Sequence, residues 1–526
     1  MRKVLASRWA RRGLALLSGT LPALAFPAPS LWWLAYAALV PWMLLARSAR
    51  SGREAAVTGW LGGTGFMLAL HHWLMPSLHV FILLIAALIA LLWAPWGWLV
   101  RRMLRGAPGP GRLAAAVVVV PSGWLLVELI RSWQYLGGPW GLFGATQWQV
   151  GPALRLASVG GVWLVSFLLV AVNTALVVAV AVAVAGATGA AGAARAPRAR
   201  AVACAGAAVV LGVTAVGTAA AAAWAPRPER TGGTRVALVQ IGLTDSPKAR
   251  FDRGERLTRQ LAGRDLDLVV WGESSVGYDL GSHPALVKRL SSLASRTGAS
   301  ILVNVDSRRA GRPGIYKSSV LVGPHGLTGQ RYDKMRLVPF GEYIPARSVL
   351  GWATSVGRAA GEDRRRGTEP VMMKAGGTRF GPLICFETAF PDMSRHLVSE
   401  GARLLVAQSA TSSFQESWAP QQHASLAALR AAESGRPMVH STLTGVSAVH
   451  GPEGERVGKR LDTDASAAMV ADVPLASGTT LYVRFGDWVV RTALTVLVAF
   501  GALECARTLR ARRAREAVTL TAPARR

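Results

Sequence analysis

Acidic side chains are scarce in this 526-residue chain. Twenty-nine Asp and Glu stand against 59 Lys and Arg, a formal charge of +30. Cysteine is scarcer, with Cys204, Cys385 and Cys505 alone. Three thiols at irregular spacing exclude a disulfide framework and a thiolate zinc site. Charged residues are nearly missing from long runs of the first 230 positions. Such runs, with 51% hydrophobic residues and a mean hydropathy of +0.31, exclude an ordinary soluble domain. The arginines lie in short loops between apolar runs rather than along one soluble face. That distribution speaks against a nucleic-acid partner.

What is there is a series of apolar runs. Seven fall at about 13–29, 31–46, 55–74, 78–100, 113–131, 158–185 and 201–224, and an eighth at about 488–506. Most approach the ~20 residues that an α-helix needs to cross the hydrocarbon core. The first two are short and broken by Pro22, Pro27, Pro29 and Pro41, so a re-entrant pair is the alternative. Basic residues alternate along the loops. They crowd residues 1–12, the loops after runs two, four and six, and the tail after run eight, and they thin out at 27–30, 71–79 and 132–157. The positive-inside rule then predicts eight spans with both termini cytoplasmic. The large segment after run seven falls outside the cytoplasm. The basic N-terminus lacks a small-residue cleavage site, so the first helix is expected to be retained rather than removed as a signal peptide.

That segment has ordinary soluble composition and alternates strand and helix patterns. Strands are expected at 235–240, 267–271, 300–305, 318–322, 380–385, 404–408, 438–441, 446–450 and 467–473, with helices at 284–296 and 422–434. GPHG (323–326) and GPEGE (451–455) are expected hairpin turns, and 186–200 a loop. The mix implies α/β layers around a central sheet. The expected domains are 1–230 (helical, transmembrane), 231–480 (catalytic) and 481–526 (last span and basic tail).

Three strand ends carry titratable residues: LVVWGES with Glu273, YDKMRLVPFGEYIP with Lys334 and Glu342, and GPLICFE with Cys385, Phe386 and Glu387. A thiol nucleophile needs a base, and a carboxylate can serve. An ammonium can stabilise the oxyanion that forms when a carbonyl is attacked. Taken singly, each residue has an ordinary reading. Cys385 is a small buried hydrophobe, Lys334 a solvated lysine, and Glu273 a helix cap. Glu342 pairs with Arg336 or Arg347, and Glu387 sits on a helix dipole.

Together these motifs resemble the nitrilase (carbon–nitrogen hydrolase) superfamily, and within it the apolipoprotein N-acyltransferase branch. YDKMRLVPFGEYIP is similar to that branch's Lys motif and GPLICFETAFPD to its nucleophile motif. GRPMVHSTLTGVSAVHGPEGE (435–455) resembles a later strand pair and GGPWGLFGATQW (137–148) an external segment between spans. The resemblance covers nearly the whole chain. It implies an αββα sandwich inserted between about seven N-terminal spans and one C-terminal span. It also implies Cys385 as nucleophile, Glu273 as general base and Lys334 as oxyanion stabiliser, with Glu342, Glu387 and Phe386 supporting them and no cofactor. The implied reaction is ping-pong. A membrane phospholipid acylates Cys385, and the thioester passes its chain to the α-amino group of a diacylglyceryl-cysteine at an apolipoprotein N-terminus. Both substrates sit in the bilayer of a bacterial cell membrane.

The chain departs from the branch at four places. Residues 409–414 (SATSSF) replace an Asn-Asp-Ala-Trp-Phe type run, and Phe386 replaces Tyr. Tyr316, Lys317 and Ser318 replace a Tyr-Asn-Thr type run, and Phe251 stands for an early Trp. The alternatives are a divergent copy with another acceptor, a membrane-anchored amidase acting on small external amides, and a transporter or scaffold with an inactive outer domain. His71, His72 and His79 lack a nearby carboxylate and are read as interfacial rather than metal-binding. The tryptophans at run ends (Trp32, Trp33, Trp73, Trp93, Trp96, Trp98, Trp140) read as an interfacial belt. Glu128 and Arg131 are expected to pair or to line a polar cavity.

Overall fold

The computed structural model describes residues 7–106, 110–187, 196–309, 311–350 and 361–521. Among the described residues, thirteen strands form two sheets. The first runs β13 (Ala467–Ser477), β1 (Glu229–Gln240), β2 (Leu268–Trp271), β3 (Ser300–Arg309), β4 (Arg312–Gly323) and β5 (Gly326–Asp333), with β6 (Arg364–Arg365) against β4. The second runs β12 (Arg456–Leu461), β11 (Ser447–His450), β10 (Met438–Thr442), β9 (Leu404–Ser409), β8 (Thr378–Ile384) and β7 (Met373–Ala375). The central pairs β1–β2, β2–β3, β8–β9 and β9–β10 are parallel.

Period-two alternation sorts these strands' side chains between layers. Leu268 and Val270 of β2 enter the core between the sheets, where they meet Ile384, Leu404 and Val406. Val269 and Trp271 face the other way, into a core shared with Phe251, Leu290 and Leu293 of helices Pro247–Arg259 and Pro284–Thr297. On the second sheet, Leu383, Leu405 and Ala407 face helices Pro391–Ser399 and Ala419–Ser434. Their core is continuous with that of the N-terminal helices. The order of layers is helices, sheet, sheet, helices. Parallel strands buried on both faces read as unbroken apolar runs, which is why β2, β8 and β9 stand out in the sequence.

Among the described residues, three helices are long and apolar enough to cross a membrane: Gly111–Arg131, Gly151–Val180 and Trp488–Arg513. Helices Phe81–Ala90 and Trp93–Leu104, bent by 41°, make a fourth if they act as one span. Run one breaks after helix Arg8–Thr20 into a 3-10 turn at Leu21–Ala25, where Pro22 stands. The expected loop at 186–200 is helical at 186–187 and 196–200, and its remainder lies outside the described residues. Where helix Gly52–His71 meets Trp93–Leu104, a Cβ on Gly59 would lie 2.2 Å from the Trp93 carbonyl oxygen, and one on Gly97 would lie 2.4 Å from that of Ala55. The two glycines let these backbones touch, as small residues do between membrane helices.

Two expectations about this region need correction. Trp93 and Trp96 are not belt residues. They are buried with Trp42 and Trp124 in one aromatic cluster, with ring centroids 5.0–6.0 Å apart. Glu128 and Arg131 instead bind the loop that follows their helix. Glu128 accepts from the Phe143 amide at 2.6 Å and from Trp124 Nε1 at 2.9 Å, while Arg131 donates to the carbonyls of Trp140 and Gly141.

Candidate active site

Strand ends from both sheets meet at one point. Glu273 follows β2, Lys334 follows β5 and Cys385 follows β8. Cys385 lies just past the strand expected at 380–385, with a left-handed φ of +53° at the first residue of a 3-10 turn, Cys385–Ala389. A non-glycine residue held there costs about 1–3 kcal/mol. Its neighbours hold it. The Ile384 amide donates to Glu387 Oε2 at 2.8 Å, and His423 Nε2 donates to the Cys385 carbonyl at 3.0 Å.

Glu273 is 3% exposed and Lys334 is fully buried. Lys334 Nζ donates to Glu273 Oε1 at 3.2 Å and to Glu342 Oε1 at 2.9 Å. The Cys385 thiol donates to the Ala410 carbonyl at 3.9 Å and feels the charges of Glu273 and Lys334. Glu342 folds its own loop by accepting from the Val338 amide at 2.8 Å, so it pairs with Lys334 and not with Arg336 or Arg347. Glu387 is a bracket. Besides Ile384 it accepts from Tyr332 Oη (2.8 Å), the Met335 amide (2.7 Å) and the Arg336 amide (3.0 Å), tying the nucleophile turn to the segment that carries Lys334. Phe386 packs edge-on against Phe390, and both rings meet Gly138 of the 137–148 segment.

Burial opposes ionisation of Glu273, but Lys317 and Lys334 outweigh it and bring its pKa down to about 2. Burial, with Glu273 adding to it, pushes the Cys385 thiol up to about 12. Burial also opposes charge on Lys334, yet Glu273 and Glu342 raise its pKa well above the ordinary lysine value. The resting site thus holds a neutral thiol beside a carboxylate–ammonium pair. Burial lowers His423 to about 4, so its ring is neutral at pH 7.

Sequence reasoning brought Glu273, Lys334, Cys385, Glu342, Glu387 and Phe386 forward, and the fold brings all of them together. It gave no role to Lys317 or to His423. Lys317 Nζ lies 3.0 Å from Glu273 Oε1 and 3.0 Å from Ser274 Oγ. The signal for Lys317 was its place in the Tyr316–Ser318 departure. For His423, on a helix buried on every side, we find no sequence signal. In the 409–414 segment, the Ser409 carbonyl accepts the Glu273 and Leu443 amides at 3.1 and 2.7 Å. Its hydroxyl lies 3.0 Å from His440 Nε2. Phe414 meets Trp73 (4.9 Å between centroids), and Trp73 meets Trp140 at 5.5 Å. Both indoles donate to Gln422 Oε1. Trp73 and Trp140 therefore close the joint between the helical part and the site.

A buried Glu–Lys–Cys cluster at the strand ends of a two-sheet sandwich defines a carbon–nitrogen hydrolase domain, and the family model of that description matches residues 235–482. A second model, the apolipoprotein N-acyltransferase N-terminal domain, matches residues 18–175. The apolipoprotein N-acyltransferase of Azotobacter vinelandii is 32% identical over 533 residues, covering 96% of this chain and 97% of that protein. That of Geobacter metallireducens is 29% identical over 496 residues, covering 90% and 91%. The chain belongs to the apolipoprotein N-acyltransferase family and is an acyltransferase of the membrane. Among solved structures, a nitrilase-superfamily amidase from Nesterenkonia is 20% identical, with a TM-score of 0.36, over 50% of this chain and 96% of that one.

Proposed function

We propose that this chain moves an acyl chain from a membrane phospholipid to the α-amino group of a diacylglyceryl-cysteine at a lipoprotein N-terminus, through a thioester on Cys385. The observation that carries the reading is the buried Glu273 carboxylate, which acts electrostatically on the Cys385 thiol while Lys334 holds its Oε1 at 3.2 Å. Glu273 takes the thiol proton as sulfur attacks the ester carbonyl carbon. Lys334 turns to the oxyanion. Collapse breaks the ester C–O bond, and the leaving glycerol oxygen takes the proton from Glu273 and departs as lysophospholipid. The lipoprotein amine then attacks the thioester carbonyl and passes its proton to Glu273. The thiol leaves and recovers that proton. No step calls for a cofactor.

The proposed domains are 1–230, 231–480 and 481–526, with eight spans, the catalytic domain outside the cytoplasm and both termini inside. The distribution of charge supports this arrangement. At one end of the helices, Arg47 binds the carbonyls of Leu104 and Gly106, Arg101 those of Ala49 and Arg50, and Arg102 pairs with Glu504. The opposite end, with Trp73 and Trp140, carries the catalytic domain. The basic end fits the cytoplasmic face. Holding both lipid substrates at one membrane surface raises their effective concentration.

The test is incubation of purified protein with phospholipid labelled in its acyl chain. A hydroxylamine-sensitive label on the wild type, absent from Cys385→Ser, is expected. Hydrolysis of small amides with no label on the protein would overturn acyl transfer in favour of the amidase.

A further inference from the structure

We propose that Lys317 is a second cation of the active site, a positioning residue that holds the Glu273 carboxylate ionised and in place while Lys334 turns to the oxyanion; this rests on the acyl-transfer reading above. Lys317 lies on β4, and Lys334 follows the paired strand β5. The Lys334 amide donates to the Lys317 carbonyl at 2.9 Å. That pairing delivers two ammonium groups to one oxygen, Glu273 Oε1, at 3.0 and 3.2 Å. Like charges so close persist only because carboxylates surround them. Lys317 also lies 3.6 Å from Asp306 on β3 and 3.6 Å from Glu342. Asp306 in turn pairs with Arg364 of β6 at 3.1 Å.

Three carboxylates (Glu273, Glu342, Asp306) therefore face three cations (Lys317, Lys334, Arg364). The other groups near Glu273 are the Cys385 thiol and the neutral His423. Arg250 of helix Pro247–Arg259 donates to the Ser274 carbonyl at 2.6 Å and attracts Asp306.

Without Lys317, Glu273 loses one of the two ammonium groups on its Oε1. Lys334 is then the sole ammonium on both Glu273 and Glu342, and turning it to an oxyanion strips both. With Lys317 present, Glu273 keeps a cation and a fixed direction whichever way Lys334 points. Lys317 also fixes the turn that carries Glu273 through its bond to Ser274 Oγ. After burial, which opposes ionisation, Lys317 acts on Glu273 ahead of Lys334.

Charge and hydrogen bonding can be separated. Lys317→Asn and Lys317→Gln keep an N–H donor and remove the charge, while Lys317→Arg keeps both. The assay is the rate of thioester formation from labelled phosphatidylethanolamine–phosphatidylglycerol vesicles between pH 5 and 8. In the neutral variants the Glu273 pKa rises toward this window. Their rate relative to wild type is expected to fall by about tenfold between pH 7 and pH 5, whereas Lys317→Arg tracks the wild-type profile. A ratio that stays constant across pH, however low, would show a structural role and overturn the proposal. Should neither neutral variant fold, the wild-type profile is extended to pH 4, where its acid limb is expected below the ordinary glutamate value of 4.5. A limb at or above pH 5 overturns the proposal. A folded wild type that forms no thioester at any pH overturns both this proposal and the acyl-transfer reading, whereas a thioester with an unmoved limb overturns this one alone.

Discussion

Cys385 is a poor nucleophile by itself, with its thiol raised to about 12 by burial and by Glu273. Its reactivity depends on the groups that hold it. Removing the base by Glu273→Gln is expected to slow thioester formation by about 10²–10⁴-fold, read from single-turnover labelling. Glu387 matters in a different way, as an acceptor for four donors that lock the nucleophile turn to the Lys334 segment. Glu387→Ala leaves those buried donors unpaired, at about 1–3 kcal/mol for each that finds no other partner. Its melting temperature is expected to fall together with labelling; an unchanged melting temperature would contradict the bracket. Glu273 and Cys385 were legible in the sequence because each follows an apolar strand, and Lys334 because of the specific motif around it. Lys317 was marked only by its place in the Tyr316–Ser318 departure, which gives it no role. Only the register of β4 against β5 shows that it faces the site.

At the scale of elements, legibility followed burial. Strands β2 and β9 are buried along their length, β8 everywhere but at Arg379, and all three were read within one or two residues. Strands β5 and β12, whose sequences GLTGQRYD and RVGKRL show no apolar face, were missed. Helix Ala419–Ser434 joins the catalytic layers to the membrane helices. Its Glu433 Oε1 accepts the Val162 amide at 2.6 Å, beside the kink at Gly160 and Gly161. Arg430 Nε lies 2.8 Å from Glu433 Oε2 without forming a hydrogen bond there. Burial, countered in part by Arg430, raises this carboxyl from 4.5 to about 7. The unfolded chain gives up the proton first, so this group's contribution to stability falls as pH rises from about 4.5 to about 7. Glu433→Gln is expected to flatten that slope in thermal melts. Glu433→Ala, which leaves the buried Val162 amide without its acceptor, is expected to cost about 1–3 kcal/mol. Gly138 (φ +67°) touches Phe386 and Phe390, and a Cβ there would lie 2.6 and 2.8 Å from their rings. Gly138→Ala is expected to lower labelling while Cys385 stays in place; unchanged labelling would show that this contact is not needed.

For the whole molecule, the first two apolar runs show why periodicity alone does not fix a span count. Proline breaks them into short helices and 3-10 turns, and run four is a bent pair. Topology is therefore better tested directly. Reporters fused after residue 526 and inserted in the 451–455 turn are expected to register the cytoplasm and the exterior respectively, and a cytoplasmic signal from the turn would contradict the arrangement. The joint formed by Trp73, Trp140 and Gln422 places the site where membrane segment and catalytic domain meet, so that lipid donor and lipid-anchored acceptor reach one sulfur. The most direct measurement follows one labelled acyl chain through both half-reactions. Purified protein is first charged from labelled phospholipid, freed of donor, and then given a diacylglyceryl-cysteine peptide with a free α-amino group. The account predicts a thioester on Cys385 in the first step and, in the second, its loss matched by labelled amide at the peptide N-terminus. A thioester that persists in the presence of the peptide, or that water alone discharges, would contradict it.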